Sequence, residues 1–406
     1  MTFASVGAVI RVSVVTIVAL VLAVFCWMSG FDRMTADSPR LQGSYFGGRT
    51  AAQFTFDNLA QKDFRSAFRQ AQWAVRTDPL DPASTSALGS ALLAFGRATP
   101  AYAAFTVAGG LGWRDIPTQL YWLTQGVAMA DVKVVKPRLD ALLRLDIDND
   151  AVSNSLNLLE RTRAGQAALA TLLMEDPPWE SRFLLGTSKL DGDDFDGRMA
   201  VIDLAAAKGA VLDCGAVGNA ANHLITAGRV QAAKELWRRA CDRAGDLYLS
   251  NGSFEAGPAK LSEGPFAWRL QARAGLDVDI ASAPAPLEGY ALRIASSMTV
   301  RTVAARQLTA LRAGRYRLAW KTVRDGGNGP DDSIEVLIRC NGTNLLNMNK
   351  LPAPVGRANQ VIRTLIIPSQ NCFIQAVDIQ KGASGSGNVQ AGWIDDIQIS
   401  PLVDEK

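Results

Sequence analysis

Leu311-Arg312-Ala313-Gly314-Arg315-Tyr316-Arg317-Leu318-Ala319-Trp320-Lys321 is the stretch that decides the fold. From Arg315 onward it alternates: Tyr316, Leu318 and Trp320 point one way, and Arg315, Arg317 and Lys321 the other. A period of two is the pattern of a strand with one buried face. The reading extends outward in both directions. Ile334, Val336 and Ile338 alternate with Glu335 and Arg339, and Val361–Ile367, Cys372–Ile379 and Trp393–Ile399 are further strand-like runs. Turn signals separate them: Gly326-Gly327-Asn328-Gly329, Asn341-Gly342, and the run from Gly382 to Asn388. Asn341-Gly342 suits a two-residue hairpin turn, because both positions tolerate positive φ. Many short strands between such turns predict an all-β jelly-roll sandwich. Its bounds fall at residues 247–402, with a tail at 403–406.

Upstream of about Leu247 the period changes. From Thr50 to Ala244 the chain is rich in Ala, Leu and Arg, with apolar residues at helical spacing. Phe64, Phe68, Ala71 and Val75 predict one face of an amphipathic helix, and Leu139, Leu142, Leu143 and Leu145 mark another. Thr77-Asp78-Pro79, Leu111-Gly112-Trp113 and Leu145-Asp146 read as helix ends. Asp78, Gly112 and Asp146 are 34 residues apart, which is the tetratricopeptide period. The expectation is therefore an all-α, degenerate tetratricopeptide-like solenoid over 50–246. A later hairpin runs from Ala220 to Ala244 and turns at Gly228-Arg229. Between Asp176 and Gly197, Pro177-Pro178 and the acidic Asp191-Gly192-Asp193-Asp194 predict a break or loop. Trp73, Trp113, Trp122, Trp179 and Trp237 read as packing between helices.

The N-terminus adds an expectation of location. Val12 to Met28 is apolar without interruption, and Phe3 to Ile10 extends it beyond Arg11. About 20 apolar residues span a bilayer as a helix, and Trp27 and Phe31 sit where an interfacial belt lies. This predicts a transmembrane anchor over 1–30 and a linker over 31–49. The apolar run is longer than that of a signal peptide, and Ser29-Gly30-Phe31-Asp32-Arg33 is a poor cleavage site. Phe25 before Cys26 is too large for a lipoprotein signal. Arg33, Arg40 and Arg49 argue against export, although large domains translocate regardless of such charges. The cysteines decide the orientation. There are five. Cys26 belongs to the anchor, Cys340 and Cys372 fall in strand runs, and Cys214 and Cys241 flank a helical hairpin. Two disulfides are plausible in this geometry, and disulfides belong to oxidising compartments. The alternative is four small buried hydrophobes. Anchor and cysteine pairs together predict a single-pass protein of the bacterial inner membrane, with its body in the periplasm.

Composition excludes several chemistries. Apolar residues make up 48 % and charged ones 20 % of 406 residues, which suits packed domains. The net charge is +3 with no basic block, which argues against nucleic acid. A single histidine, His223, excludes triads, HExxH and multi-histidine sites, and on its helix it reads as structural. No CxxC or Cys/His spacing points to zinc. The acidic pairs Asp193/Asp194 and Asp331/Asp332 are the available candidates for glycosidase-type acid and base, and adjacent carboxylates in turns are usually solvated.

Four segments in order carry a resemblance: Ser250-Asn251-Gly252-Ser253-Phe254-Glu255, Pro265-Phe266-Ala267-Trp268, Leu311 to Leu318, and Trp393-Ile394-Asp395-Asp396-Ile397-Gln398-Ile399. Over about 150 residues they look like carbohydrate-binding-module jelly rolls of the galactose-binding-like type. The whole chain resembles bacterial envelope tetratricopeptide-like proteins that end in such a domain and occur near exopolysaccharide genes. The resemblance implies a structural calcium ion held by Glu255 and Asp396, with Asp395 as the alternative to Asp396. It also implies aromatic contacts to sugar. Tyr290, Tyr316 and Trp320 are among the aromatics, but Tyr316 and Trp320 share the core face with Leu318. Trp268 and Trp393 are less constrained and are the carbohydrate-contact candidates. The functional expectation is a non-catalytic, membrane-anchored scaffold for assembly or export of an envelope polysaccharide. Its helical repeats would dock an envelope protein partner, and its jelly roll would touch the polysaccharide. The alternatives are a general envelope assembly factor with a purely structural jelly roll and, behind it, a carbohydrate-active enzyme.

Overall fold

The structure, a computed structural model, describes residues 14–24, 26–27, 47–242, 248–257, 264–326, 329–345, 359–385 and 388–402. The chain divides into two compact units, Met1–Leu156 and Asn157–Lys406.

The first unit is built from α1 (Gly48–Ala60), α2 (Phe64–Thr77), α3 (Pro82–Ala94), α4 (Ala98–Leu111), α5 (Ile116–Ala128), α6 (Val132–Asp146) and the start of α7 (Asp150–Glu160). They pack as the successive hairpins α1/α2, α3/α4 and α5/α6. Asp63, Asp81, Asp115 and Asp131 cap four of the helices, each carboxylate accepting a first-turn backbone N–H. Pro82 and Pro117 sit in first turns, where no N–H is needed. The caps Gly47, Asp81 and Asp115 of the first helices are 34 residues apart. Asn149, whose side chain accepts the Ala151 N–H, stands 34 further on. Asp78 and Gly112 are C-caps, and Asp146 ends α6. The 34-residue spacing thus marks both ends of real hairpins.

The core of this unit is small-residued. Ala67, Ala71, Ala74, Ala87, Ala91, Ala101 and Ala108 are fully buried. At Gly89 a Cβ would stand 2.7 Å from the Phe105 ring, so glycine lets that ring lie on α3. The inward face of α2 is Ala67, Ala71 and Ala74; of the expected Phe64, Phe68, Ala71 and Val75 stripe, Ala71 is buried and Phe68 packs against that core, while Phe64 does not. Phe64 is 40 % exposed. Phe64 and Phe68 meet Phe95 edge-on at the rim, at 6.4 and 5.7 Å. Leu139, Leu142 and Leu143 are buried as expected.

The second unit opens with α8 (Arg163–Leu173), α9 (Glu180–Gly186), a 3-10 turn (Thr187–Lys189), α10 (Gly192–Ala207), α11 (Cys214–Thr226) and α12 (Val230–Ala240). The expected break ends earlier than Gly197. Asp193 and Asp194 lie in the first turn of α10, where carboxylates complement the helix dipole. A disulfide joins Cys214 at the start of α11 to Cys241 just after α12, with Cα atoms 5.8 Å apart. Trp237 of α12 is buried against the strand region. At Gly264 a Cβ would stand 2.2 Å from its ring.

Among the described residues ten strands follow: β1 (Arg269–Leu270), β2 (Leu276–Ser282), β3 (Tyr290–Ser296), β4 (Thr302–Thr309), β5 (Gly314–Arg324), β6 (Ile334–Cys340), β7 (Thr343–Asn344), β8 (Gln360–Ile367), β9 (Gln375–Lys381) and β10 (Gln390–Pro401). They form two five-stranded antiparallel sheets, in the orders β1-β4-β9-β6-β7 and β2-β3-β10-β5-β8. One core lies between them. Leu318, Trp320, Val336, Ile338, Leu365, Val377, Ile379 and Ile394 belong to it, as the alternation predicts. Asn341 and Gly342 turn β6 into β7 with φ of 49° and 82°. The Cys340–Cys372 disulfide closes beside this hairpin, with a Cα separation of 5.7 Å.

The expected anchor is overturned. Among the described residues no helix is long and apolar enough to cross a membrane. The single-pass inner-membrane placement falls with it. Residues 1–13 and 28–30 of that expectation, most of the 31–49 linker and the 403–406 tail lie outside the described residues, as do Gly327 and Asn328.

Candidate functional site

The first and last of the four resembling segments meet at the end of the sandwich. Ile397 donates its N–H to the Gly252 carbonyl at 2.9 Å. A Cβ at Gly252 would stand 2.2 Å from the Ile397 carbonyl oxygen, so only glycine permits this approach. Asn251 takes φ 46° there, and its carbonyl accepts the Trp268 indole N–H at 3.1 Å. Exposed Glu255 follows, with Oε1 accepting the Tyr290 N–H at 3.1 Å.

On β10 the ladder slips between Asp395 and Gln398, and the bulge separates the two aspartates. Asp396, at φ 53°, turns to an ion pair with Lys321 at 3.0 Å and accepts from Gln398. Asp395 is only 6 % exposed, and its carboxyl is pushed up to about 6. Burial is the main cause. The charges of Asp396 and Glu255 add to it, while the Asp396 N–H and Lys321 oppose it. The structure therefore gathers Glu255 and Asp395 into one electrostatic neighbourhood, with Asp396 engaged by Lys321. Among the described residues no three His, Cys, Asp or Glu side chains form a group that could hold a metal ion. A cation here would rest on two carboxylates completed by backbone carbonyls.

The carbohydrate-contact candidates are both covered. Trp268 is 3 % exposed and packs on Phe254 at 5.8 Å. Trp393 is 8 % exposed in a small second core with Leu287, Ala291 and Val323, and its indole N–H donates to Asp325. Neither presents a ring face for a pyranose, which corrects the expectation for both. Tyr316 and Trp320 are core residues, and Tyr290 is partly exposed. The acidic pairs are engaged as well. Asp331 is buried against Lys381, and Asp194 pairs with Arg161. His223 is exposed on α11 rather than packed. Trp73 and Trp113 are half-exposed rather than buried between helices, and Arg138 stacks over Trp113 at 3.9 Å.

The feature missed in the sequence lies in the first unit. A groove of about 830 Å³ is lined by Arg49, Phe56, Ser90, Arg114, Tyr121 and Thr124 among others. Its walls come from α1, α3, α5 and the start of α7, the first helix of each hairpin in turn. The lining recurs with the repeat. Arg49, Ala83, Pro117 and Ala151 occupy one repeat position, and Phe56, Ser90 and Thr124 another, each step being 34 residues. Adding 34 repeatedly to Arg49 and Phe56 of α1 finds these positions. Tyr121 stacks on buried Phe105 at 4.0 Å, which fixes the groove floor. Asp115 caps α5 from within the wall, and burial holds its carboxyl above the usual range against its hydrogen bonds from Thr118.

No family model matches the chain, and no curated protein matches it. Solved structures similar over the strand region are carbohydrate-binding modules. One is TmCBM61 in complex with β-1,4-galactotriose, at 19 % identity over 38 % of this chain and 98 % of that one, with a TM-score of 0.25. Another is a CBM4 module, at 17 % identity over 38 % of this chain and 99 % of that one, with a TM-score of 0.27.

Proposed function

We propose that this chain is a non-catalytic interaction protein whose helical hairpins, a tetratricopeptide-like array, dock an extended segment of an envelope protein partner. The observation that carries this is the groove lined at repeat-equivalent positions by successive first helices. Stacked repeats build such continuous surfaces from one element used again and again. Apolar Phe56, Leu120 and Tyr121 and hydrogen-bonding Gln53, Thr124, Gln125 and Asn149 line it together. That mixture suits a peptide, which offers side chains and a polar backbone together. The two disulfides support work in an oxidising compartment. In this reading the sandwich is a structural body with calcium between Glu255 and Asp395, and a part in exopolysaccharide assembly enters only through the partner. Panning a random dodecapeptide library against the whole chain, and measuring the selected peptides by fluorescence anisotropy, tests it. Gln53→Trp and Thr124→Trp fill the groove from exposed positions and should each weaken binding at least tenfold with an unchanged melting curve. Peptides that bind these variants as tightly as the parent would refute the groove. Selection of no peptide, with neutral glycans retained on an array instead, would move the function to the sandwich.

A further inference from the structure

A second concavity lies wholly within the second unit, between α12 and the turn that leads into β5. It measures about 520 Å³, and its lining includes Lys234, Glu235, Arg238, Tyr248, Arg312 and Tyr316. Three cations thus face one carboxylate. Glu235 is already shared, since Arg238 and Arg239 both donate to it, at 3.1 and 2.6 Å. Lys234 and Arg238 are four residues apart on one helix face, a like-charge pair that is unfavourable in itself. Arg312 stands opposite them, exposed, and no carboxylate pairs with it among the described residues. Arg312 therefore brings a guanidinium with no described carboxylate partner to a concave space bordered by α12 cations.

Both walls are held. The Arg312 turn is pinned by fully buried Gln375, which accepts the Leu311 N–H at 2.8 Å and donates to the Cys372 carbonyl at 2.7 Å, at the Cys340–Cys372 bridge. The Tyr316 hydroxyl donates to the Arg312 carbonyl at 3.0 Å. The opposite wall, α12, is tied at its end by the Cys214–Cys241 bridge. Lys234 spans from one wall to the other, donating to the Ala310 carbonyl at 3.3 Å. A rigid cleft loses little freedom when a ligand enters. Tyr248, in edge contact with Tyr316 at 5.8 Å, gives it an aromatic wall.

We propose that this cleft binds an acidic sugar of about disaccharide size, its carboxylate or phosphate oxyanion held between Arg312 and the α12 cations and its ring against Tyr248. Guanidinium–oxyanion contacts supply strength and orientation, and the volume lies within the ordinary range for small-ligand sites. The site is separate from the helical groove, so the groove reading stands or falls without it. The test is isothermal titration calorimetry on the whole, oxidised chain with digalacturonate, neutral galactobiose and inorganic phosphate. Digalacturonate should bind, galactobiose at least tenfold more weakly, and the digalacturonate affinity should fall as salt rises. Arg312→Gln should lose at least tenfold with its melting curve unchanged, while Arg317→Gln, on β5 outside the cleft, should not. Three results would each overturn the proposal: no digalacturonate binding by the folded chain, galactobiose bound as well as digalacturonate, or Arg312→Gln binding like the parent. Phosphate bound as tightly as digalacturonate would overturn the sugar and leave a bare oxyanion site.

Discussion

The hairpin array and the sandwich solve the problem of a core in opposite ways. In the array, seven fully buried alanines, Ala67, Ala71, Ala74, Ala87, Ala91, Ala101 and Ala108, carry much of the contact between its first helices, and the large aromatics Phe64, Trp73, Phe95 and Trp113 are pushed toward solvent. In the sandwich, Trp320, Tyr316, Phe254 and a wall of Ile, Leu and Val fill the space between the sheets, and a disulfide closes one edge. Helices that approach closely need small residues, whereas sheets packed about 10 Å apart need long ones. The array therefore gains contact by repetition and leaves several of its large aromatics at the surface. The sandwich gains stability by volume and by covalent closure.

The sharpest way to break this contrast is to remove volume. Trp320→Ala, at a site 1 % exposed, should cost about 3–5 kcal/mol. Hydrogen exchange read peptide by peptide should show the loss in the second unit only. Equal loss of protection over α1–α6 would mean that the two units do not unfold separately. Next in size is covalent closure. Replacing Cys340 and Cys372 together by serine opens a loop spanning 32 residues, which should cost about 3–4 kcal/mol on the chain-entropy account. Urea unfolding of that variant against its parent measures this, and a midpoint unchanged within error would disprove it.

Charge offers a third handle, on the sandwich alone. The folded Asp395 carboxyl titrates near pH 6, against about 4 in the unfolded chain. Below about pH 4 both states are protonated. Between pH 4 and 6 the unfolded chain gives up this proton while the native chain keeps it, so stability falls with rising pH and then levels off. The fall should be about 2–3 kcal/mol in calcium-free buffer. Asp395→Asn should abolish it and leave the protein more stable at pH 7. Calcium at pH 7 should raise the melting temperature of the parent but not of Asp395→Asn or Glu255→Ala. A calcium response that survives in both variants would dismiss the site. The smallest effect belongs to the array. Ala71→Leu adds bulk where no volume is free and should cost about 1–3 kcal/mol, read as faster exchange in α1–α3. No change would show the alanine core to be looser than its burial implies.

The sequence was informative where a local rule decides the outcome. Alternation located β5, β6, β8, β9 and β10, since Tyr316, Leu318 and Trp320 can share one face only in a strand. Asn341-Gly342 took the positive φ that a two-residue turn demands, and both cysteine pairings follow from the elements that carry them. What stayed hidden depends on three-dimensional closure. Nothing local tells that Trp393, a carbohydrate-contact candidate by its sequence, is covered by Leu287, Ala291 and Val323. The Asp395–Asp396 pair shows no polarity of its own, because a bulge decides which carboxylate turns inward and which meets Lys321. The groove residues are unremarkable singly. They gain meaning only when the 34-residue spacing is carried from helix ends to helix faces.

The contact between Trp237 and Gly264 bears on how such a chain is inherited. The compositional border near residue 247 invites the view that a gene could exchange its strand-coding half there as a cassette. A crossover at that border would part an indole from the one residue without a side chain that makes room for it, and nearly any foreign partner would arrive with a Cβ in the way. Recombinants joined near Leu156, where one compact unit gives way to the next, keep that pair together. Shuffled libraries should therefore yield folded offspring from the earlier junction and few from the later one, so the unit of descent here is longer than the unit of secondary structure.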